Sequence, residues 1–509
     1  MLFNTLHTAE ETRALDADLI ASGISSIALM KKAARAALDT LLAHWPAPEH
    51  ITVFCGSGNN GGDGYLLAAL AKEKNISAQV IAVGAEEKFT TDTRAAHQYA
   101  LQNGVTITPW HHGETPVATL VFMRDVVAEL PAETILVDAL LGTGSNGAPH
   151  HAYATAIEIM NDSGLPVLAL DMPSGIDADT GCAEGVAVSA SVTITFVAQK
   201  RGLYTADAPD FTGEIVYDSL GAEEVPPFED YEVTLLDAEW LLEEGLPMRP
   251  RTAHKGLFGH VMVIGGDRGM GGAVLLAAEA AARCGAGLTS AATQPEHVAA
   301  VLARRPEIMA NGVTSGQALE PLLEKPTVLV IGPGLGRSAW SEQMLQQATL
   351  SGLPLVMDAD ALNMLAEGRV VREPRRDNWV LTPHPAEAAR LLNITTADVQ
   401  RDRFAAVRAL QQRYGGVAIL KGAGTLICGR NGDIGVCTEG NPGMASGGMG
   451  DVLAGIIGSL LAQEVAPELA ARLGVSLHAR AADLVAEEQG ERGLLASDLI
   501  AELQGLVNP

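Results

Sequence analysis

Short runs rich in Val and Ile that end in polar, glycine-rich loops recur along this chain, and they constrain its fold more than any other feature. Strands are expected at 51–55, 78–83, 134–138, 166–171 and 191–196, with helical stretches between several of them, the first at 65–73. Strand–helix–strand alternation joined by short glycine turns predicts a parallel sheet covered on both faces. The alternation restarts with strands at 260–265, 328–332, 355–358, 379–381, 417–421 and 425–428. Residues 273–285 and 449–461 read as buried helices, since they are small-residue-rich and apolar nearly all round. Before the first series, 9–43 reads as helical with a break at Gly23. Between the two series, 221–250 clusters prolines and acids, so the boundary is placed near 221–230. A chain of 509 residues exceeds one hydrophobic core. The expectation is two tandem α/β domains, 1–222 and 223–509.

Charge narrows the function classes. Lys plus Arg number 34 against 61 Asp plus Glu, a net charge of −27. A field of that sign repels phosphate backbones and anionic headgroups, which argues against nucleic acid and membrane surfaces as main partners. An anionic ligand must then be held by local donors such as backbone amides and helix N-termini. The five cysteines are scattered with no C-x-x-C pair, which fits free thiols in a reducing cytosol and gives no zinc or disulfide framework. No secretory signal and no run of 18 apolar residues is found. A cytoplasmic enzyme is expected.

In the first half, the strand at 51–55 runs into Gly56-Ser57-Gly58-Asn59-Asn60-Gly61-Gly62-Asp63-Gly64 and then a helix. Gly56, Gly58 and Gly61 satisfy the spacing of a dinucleotide fingerprint, although Asn59, Asn60 and Asp63 are unusual there. A plain tight turn is the competing reading. Asp138 ends another strand before Ala139-Leu140-Leu141-Gly142-Thr143-Gly144-Ser145-Asn146-Gly147, and Asp171 ends a third before Met172-Pro173-Ser174-Gly175. Ligands of open parallel sheets bind beyond the carboxyl ends of strands, so the three loops are expected to share a pocket. Asn60, Asp138 and Ser174 offer hard oxygens suited to a cation. Each Asp alone also reads as a helix cap.

In the second half, Gly440–Asp451 is followed by a small-residue helix. Gly447, Gly448 and Gly450 would present amides at its N-terminus as an anion hole, with Asp451 in the first turn as a general base or acid. Capping by Asp451 is the alternative. Lys421-Gly422-Ala423-Gly424-Thr425 reads as strand–turn–strand with a lysine for a phosphate, and it is no Walker motif. Gly332-Pro333-Gly334-Leu335-Gly336 and Asp358–Asn363 follow further strands. His384, between Pro383 and Pro385 and near Glu387, is expected in a stiff extended loop, where a structural role competes with a functional one.

These strings together resemble the bifunctional NAD(P)H-hydrate repair enzymes. The resemblance spans nearly the whole chain. NNGGDG (59–64), DALLGTG (138–144) and DMPSGID (171–177) resemble the epimerase module. GPGLG (332–336), DADALN (358–363), TPHPAE (382–387), KGAGT (421–425) and NPGMASGGMGD (441–451) resemble the ADP- or ATP-dependent dehydratase module. The resemblance implies a Rossmann-like first domain and a ribokinase-like second one. It also implies that R and S hydrates of NADH and NADPH (NADHX and NADPHX) are interconverted and the S form dehydrated at the expense of ADP.

The carry-over places the hydrate on Asn59, Asn60, Gly61, Gly62, Asp63, on Gly142, Thr143, Gly144, Ser145, Asn146, Gly147, Ala148, and on Asp171, which is also the candidate acid/base. Asn60, Asp138 and Ser174 should hold K⁺. In the second domain Ala273, Gly334, His384 and Asp451 should contact the hydrate. Lys421, Gly422, Ala423, Gly424, Thr425 and Gly450 should hold the adenine nucleotide with Mg²⁺, and Asp451 should abstract the proton. Enzymes of this kind often form symmetric assemblies, so a homo-oligomer fits. The rival reading is a ribokinase-class small-molecule kinase carrying a non-catalytic N-terminal binding domain.

Overall fold

The computed structural model describes residues 4–110, 115–144, 147–222 and 233–508. The chain divides into two compact units, Met1–Tyr231 and Glu232–Pro509. Much of the 221–230 stretch expected to hold the boundary lies outside the described residues.

The first unit carries strands β1 (Leu6–His7), β2 (His50–Cys55), β3 (Ser77–Ala82), β4 (Thr106–Pro109), β5 (Thr134–Ala139), β6 (Val167–Leu170), β7 (Val192–Phe196), β8 (Gln199–Lys200) and β9 (Glu214–Asp218). Seven of them form one sheet in the order β4-β3-β2-β5-β6-β7-β9. Every pairing in it is parallel, with Ile51 opposite Ala78 on one side and Ile135 on the other. β1 and β8 make a separate parallel pair. The central strands are buried on both faces, because helices cover each. Ile51, Val53 and Cys55 enter one core with Leu38 and Leu66, while Phe54 enters the other with Leu136 and Ile157. The helix expected over 9–43 breaks as anticipated near Gly23 (φ +112), into Ala9–Ala21 and Ser26–His44.

The second unit adds β10 (Val233–Leu235), β11 (His260–Ile264), β12 (Leu288–Thr293), β13 (Met309–Gly312), β14 (Val328–Ile331), β15 (Leu355–Met357), β16 (Trp379–Leu381), β17 (Val417–Leu420), β18 (Thr425–Cys428) and β19 (Ile434–Cys437). They form a ten-stranded sheet ordered β10-β19-β18-β17-β16-β15-β14-β11-β12-β13. It is parallel except where β18 runs antiparallel to both β17 and β19. The helices Gly271–Arg283 and Met449–Ala462 pack closely. A Cβ on Gly455 would fall 2.1 Å from the Ala277 carbonyl oxygen, so the glycine permits the approach. That contact is the reason both helices are rich in small residues.

Candidate functional sites

In the first unit, the loops after β2, β5 and β6 meet around a cavity of about 640 Å³. Asn59, Asn60 and Asp63 line it from the first loop, Gly142, Thr143 and Gly144 from the second, and Asp171 from the third. Two residues the sequence did not single out join them: Asp16 on the helix Ala9–Ala21, and Lys200 at the end of β8.

The motif glycines do something different from what was expected of them. Gly61 and Gly62 are buried behind the cavity wall rather than on it. A Cβ on Gly61 would sit 2.1 Å from the Gly56 carbonyl oxygen, and one on Gly62 would strike Met30. Their role is to let the loop fold tightly. Gly147 and Ala148 lie beside Glu184 and Gly185 and do not line the cavity. Ser145 and Asn146 fall outside the described residues.

Asp171 follows β6 with a left-handed backbone (φ +68), a strained conformation for a non-glycine residue that is held by its own amide bonded to Ile194 O at 2.7 Å. Its carboxylate accepts from Lys200 Nζ on one oxygen and, at 3.4 Å, from the Thr143 amide on the other. Lys200 is 1% exposed, and it also bonds Thr195 Oγ1 at 3.1 Å and Phe196 O at 2.7 Å. Its ammonium is therefore fixed, and so is the oxygen it holds. Burial, the Asp171 and Asp16 carboxylates, in that order, push Asp63 well above the usual carboxylate range. Burial pushes Asp16 up to about 6. The site thus sets a carboxylate bound to lysine beside a carboxyl whose pKa burial raises, two environments that push paired acids apart.

Asn60 and Ser174 both bond to Leu141, and Asp138 joins them through Ser174 and the Leu140 amide. Asn60 Nδ2 donates to Leu141 O (2.9 Å) and Leu170 O (3.1 Å). Ser174 Oγ donates to Asp138 Oδ1 (2.7 Å), and Ser174 N donates to Asp138 Oδ2 (2.7 Å). Asp138 is fully buried, and burial raises it to about 6 against those hydrogen bonds. Asn60 Oδ1 is buried with no hydrogen-bond partner. An orphaned amide oxygen beside a carbonyl and a buried carboxyl fits a weakly hydrated monovalent cation. Among the described residues no group of three or more His, Cys, Asp or Glu could hold a metal ion.

In the second unit the ends of β14, β15, β16 and β17 meet the helix Met449–Ala462. Asp358, 2% exposed, accepts from Lys421 Nζ and from Thr382 Oγ1, both at 2.8 Å. Lys421 is raised although partly buried, because Asp358, Glu387 and Asp451 surround it. A Cβ on Gly450 would lie 2.8 Å from Asp358 Oδ2 and 3.2 Å from Lys421 Nζ, so this glycine brings the helix N-terminus onto the ion pair. The helix is capped by Gly448 (φ +97), without a side-chain cap bond, which leaves its first amides open. Asp451 sits in the first turn, raised to about 7 by burial and then by Asp358.

His384 has the extended backbone expected of it (φ −81, ψ 167), in the loop just before a helix. It is the N-cap of the helix Pro385–Leu392, with Pro385 at the first helical position and Glu387 closing a capping box. Its Nδ1 accepts from the Ala386 amide at 3.1 Å, which places the ring proton on Nε2, the atom 3.5 Å from Glu387 Oε1. Burial and then Lys421 lower its pKa, so the ring is neutral at pH 7. Glu387 is 5% exposed and raised to about 7 by burial. Gly334 (φ +56) packs against Met270 and Ala273, and its carbonyl accepts from Asp267 N at 2.7 Å, so the 265–272 and 332–336 loops are joined. The turn Lys421–Thr425 links antiparallel β17 and β18, with Gly422 (φ +137) and Gly424 (φ +60) in left-handed backbone.

Comparison with known proteins adds two family matches. Residues 261–505 match the family described as NAD(P)H-hydrate dehydratase, and residues 26–202 match the YjeF-related protein N-terminus. A bifunctional NAD(P)H-hydrate repair enzyme of Coxiella burnetii is 47% identical over 508 residues, covering 99% of both chains. One from Escherichia coli is 42% identical, covering 96% of this chain and 90% of its own. A solved Bacillus subtilis ADP/ATP-dependent NAD(P)H-hydrate dehydratase, co-crystallized with ATP/Mg²⁺, is 27% identical. It covers 53% of this chain and 96% of its own, with a TM-score of 0.47. On the near-full-length identities, this chain belongs to the family of bifunctional NAD(P)H-hydrate repair enzymes.

Proposed function

We propose that the first unit interconverts the R and S hydrates of NADH and NADPH, and that the second returns the S hydrate to the dinucleotide at the expense of ADP. The observation that carries the reading is a shared device at two strand-end sites. Each sets a lysine-bound carboxylate (Asp171 on Lys200, Asp358 on Lys421) beside a carboxyl whose pKa burial raises (Asp63, Asp451).

In the first unit Asp171 is the acid/base, held in place by Lys200. Asp63, raised by burial, lines the same cavity as the second carboxyl of the site. Asn59, Asn60, Gly142, Thr143 and Gly144 line the space for the hydrate. K⁺ would sit on Asn60 and Ser174 beside Asp138, where its positive charge would favour the ionised form of that carboxyl and lock the loops after β2, β5 and β6 together.

In the second unit Asp451 takes the proton of the hydrate hydroxyl as its oxygen attacks the terminal phosphorus of ADP. The bond from that phosphorus to the bridging oxygen breaks and AMP leaves. The open amides at Gly448–Gly450 face the charge that develops on the phosphoryl group. The ring nitrogen's electron pair then expels phosphate, and the neighbouring carbon loses a proton to restore the double bond. Lys421, Gly422, Ala423, Gly424, Thr425 and Gly450 hold the nucleotide, with His384, Ala273 and Gly334 on the hydrate. Asp451 and Asp358, whose carboxyls crowd together, would help hold Mg²⁺, which would offset the charge of the nucleotide phosphates.

The test is an equilibrated R/S mixture of NADHX with ADP, Mg²⁺ and K⁺, followed by NADH absorbance against a no-enzyme control. Complete recovery is expected. Accumulation of a phosphorylated hydrate, with no NADH formed, would make the second unit a plain kinase.

A further inference from the structure

Arg403 opens the helix Arg403–Tyr414 and is 1% exposed, one of the largest fully buried side chains of the chain. Its guanidinium does not face solvent. It lies under the turn Lys421–Thr425. Nη2 donates to three carbonyls of that turn and its approach, Leu420 O (3.2 Å), Lys421 O (3.3 Å) and Gly424 O (3.4 Å), while Nη1 donates to Gln400 Oε1 (2.8 Å). The fit is close. A Cβ on Gly422 would fall 2.9 Å from Nη1 and 3.1 Å from Nη2, so the glycine at that point leaves room for the guanidinium itself.

The consequence follows from peptide geometry. In a planar trans peptide the carbonyl and the next amide point in opposite directions. Drawing the Lys421 carbonyl inward therefore turns the Gly422 amide outward. That amide has only a long 3.3 Å contact with Thr425 Oγ1, whose hydroxyl donates back to Gly422 O at 2.9 Å. A turn whose carbonyls are collected on one side by a fixed positive charge presents amide donors on the other, which is the form of an anion nest. Lysine cannot replace arginine here, since a single ammonium lacks the planar fork that reaches several carbonyls at once.

We propose that Arg403 is a positioning residue for the nucleotide: from beneath, it sets the Lys421–Thr425 turn in the shape that receives the phosphates. This rests on the assignment of that turn to ADP. Arg403 touches neither substrate, so its removal should weaken ADP selectively.

The experiment uses the full-length chain with pure S-NADHX. ADP and hydrate are varied in turn for Arg403→Met, Arg403→Lys and Ala423→Glu; the last puts a carboxylate on the exposed side of the turn. Arg403→Met should raise KM for ADP at least tenfold and Arg403→Lys at least threefold, with KM for the hydrate within twofold of the parent. Ala423→Glu should raise KM for ADP at least tenfold. If Ala423→Glu does so and both Arg403 variants leave it unchanged, the proposal is wrong and the nucleotide assignment stands. If Ala423→Glu leaves KM for ADP unchanged, the turn does not bind nucleotide and both fail. Equal losses on both substrates would mean that Arg403 only supports the fold, which also overturns the proposal. Should Arg403→Met not fold, Arg403→Lys decides by the same threefold criterion.

Discussion

Replacing Lys421 with Met tests the electrostatic core of the second site. The ion pair to Asp358 spans 2.8 Å, with side chains 23% and 3% exposed. At an effective dielectric of about 20, that separation corresponds to roughly 6 kcal/mol of Coulomb attraction before desolvation is counted. Removing one partner of a buried pair strands the other charge and costs about 3–5 kcal/mol. For a unit of this size about 1 kcal/mol corresponds to roughly 2–4 °C, so its melting temperature should fall by about 10 °C. The double variant Lys421→Met/Asp358→Asn removes both charges, and Asn keeps an acceptor for Thr382. It should recover more than half of the lost stability while dehydration stays abolished. The assay is thermal and urea unfolding of the three variants beside the parent, closed as a double-mutant cycle. A loss below about 1 kcal/mol for Lys421→Met would refute the reasoning. So would losses that simply add in the double variant, since the two charges would then be independent.

Further predictions follow from the same geometry. Asp451→Asn should lower dehydration by about 10²–10⁴-fold with KM for the hydrate little changed. In the parent, kcat/KM for the hydrate should rise with pH around 7, because Asp451, raised to about 7 in the free enzyme, must lose its proton to act; a flat profile from pH 6 to 8 would contradict this. Asp16→Asn should stabilise the first unit at pH 7. A carboxyl raised from 3.8 to about 6 binds more protons folded than unfolded, so stability falls as pH rises across that window. The gain, up to about 3 kcal/mol, should vanish below about pH 4. Gly61→Ala should cost about 1–3 kcal/mol, measured by urea unfolding, because its Cβ would meet a carbonyl oxygen at 2.1 Å.

The sequence made the strand ends and their loops legible because glycine and polar residues at those ends have few alternatives. Asn60 and Ser174 meet at Leu141 with Asp138 bonded to Ser174, and Asp451 enters a charged cluster. What escaped was pairing across the chain. Lys200 sits among the apolar residues 192–198 and looks like a strand-end surface lysine, yet its partner is Asp171, 29 residues away. Lys421 and Asp358 are 63 residues apart. Asp16 lies on a helix with no motif of its own. Strands β12 (LTSAAT) and β13 (MANG) carry too few large apolar residues to be read as strands, and only the neighbouring register forms them. His384 is extended, as its flanking prolines imply, and what went unread is that Pro385 followed by Glu387 starts a helix that this histidine caps.

One chain carries two separate chemistries, one in each unit. The most direct measurement is NADH recovery from an equilibrated R/S NADHX mixture by the Asp171→Asn variant, with ADP in excess and a no-enzyme control for spontaneous epimerisation. The account predicts that recovery stops at the S fraction, at the parent's initial rate, and that catalytic amounts of the Asp451→Asn variant carry it to completion. Complete recovery by Asp171→Asn alone, at the parent's rate, would contradict it.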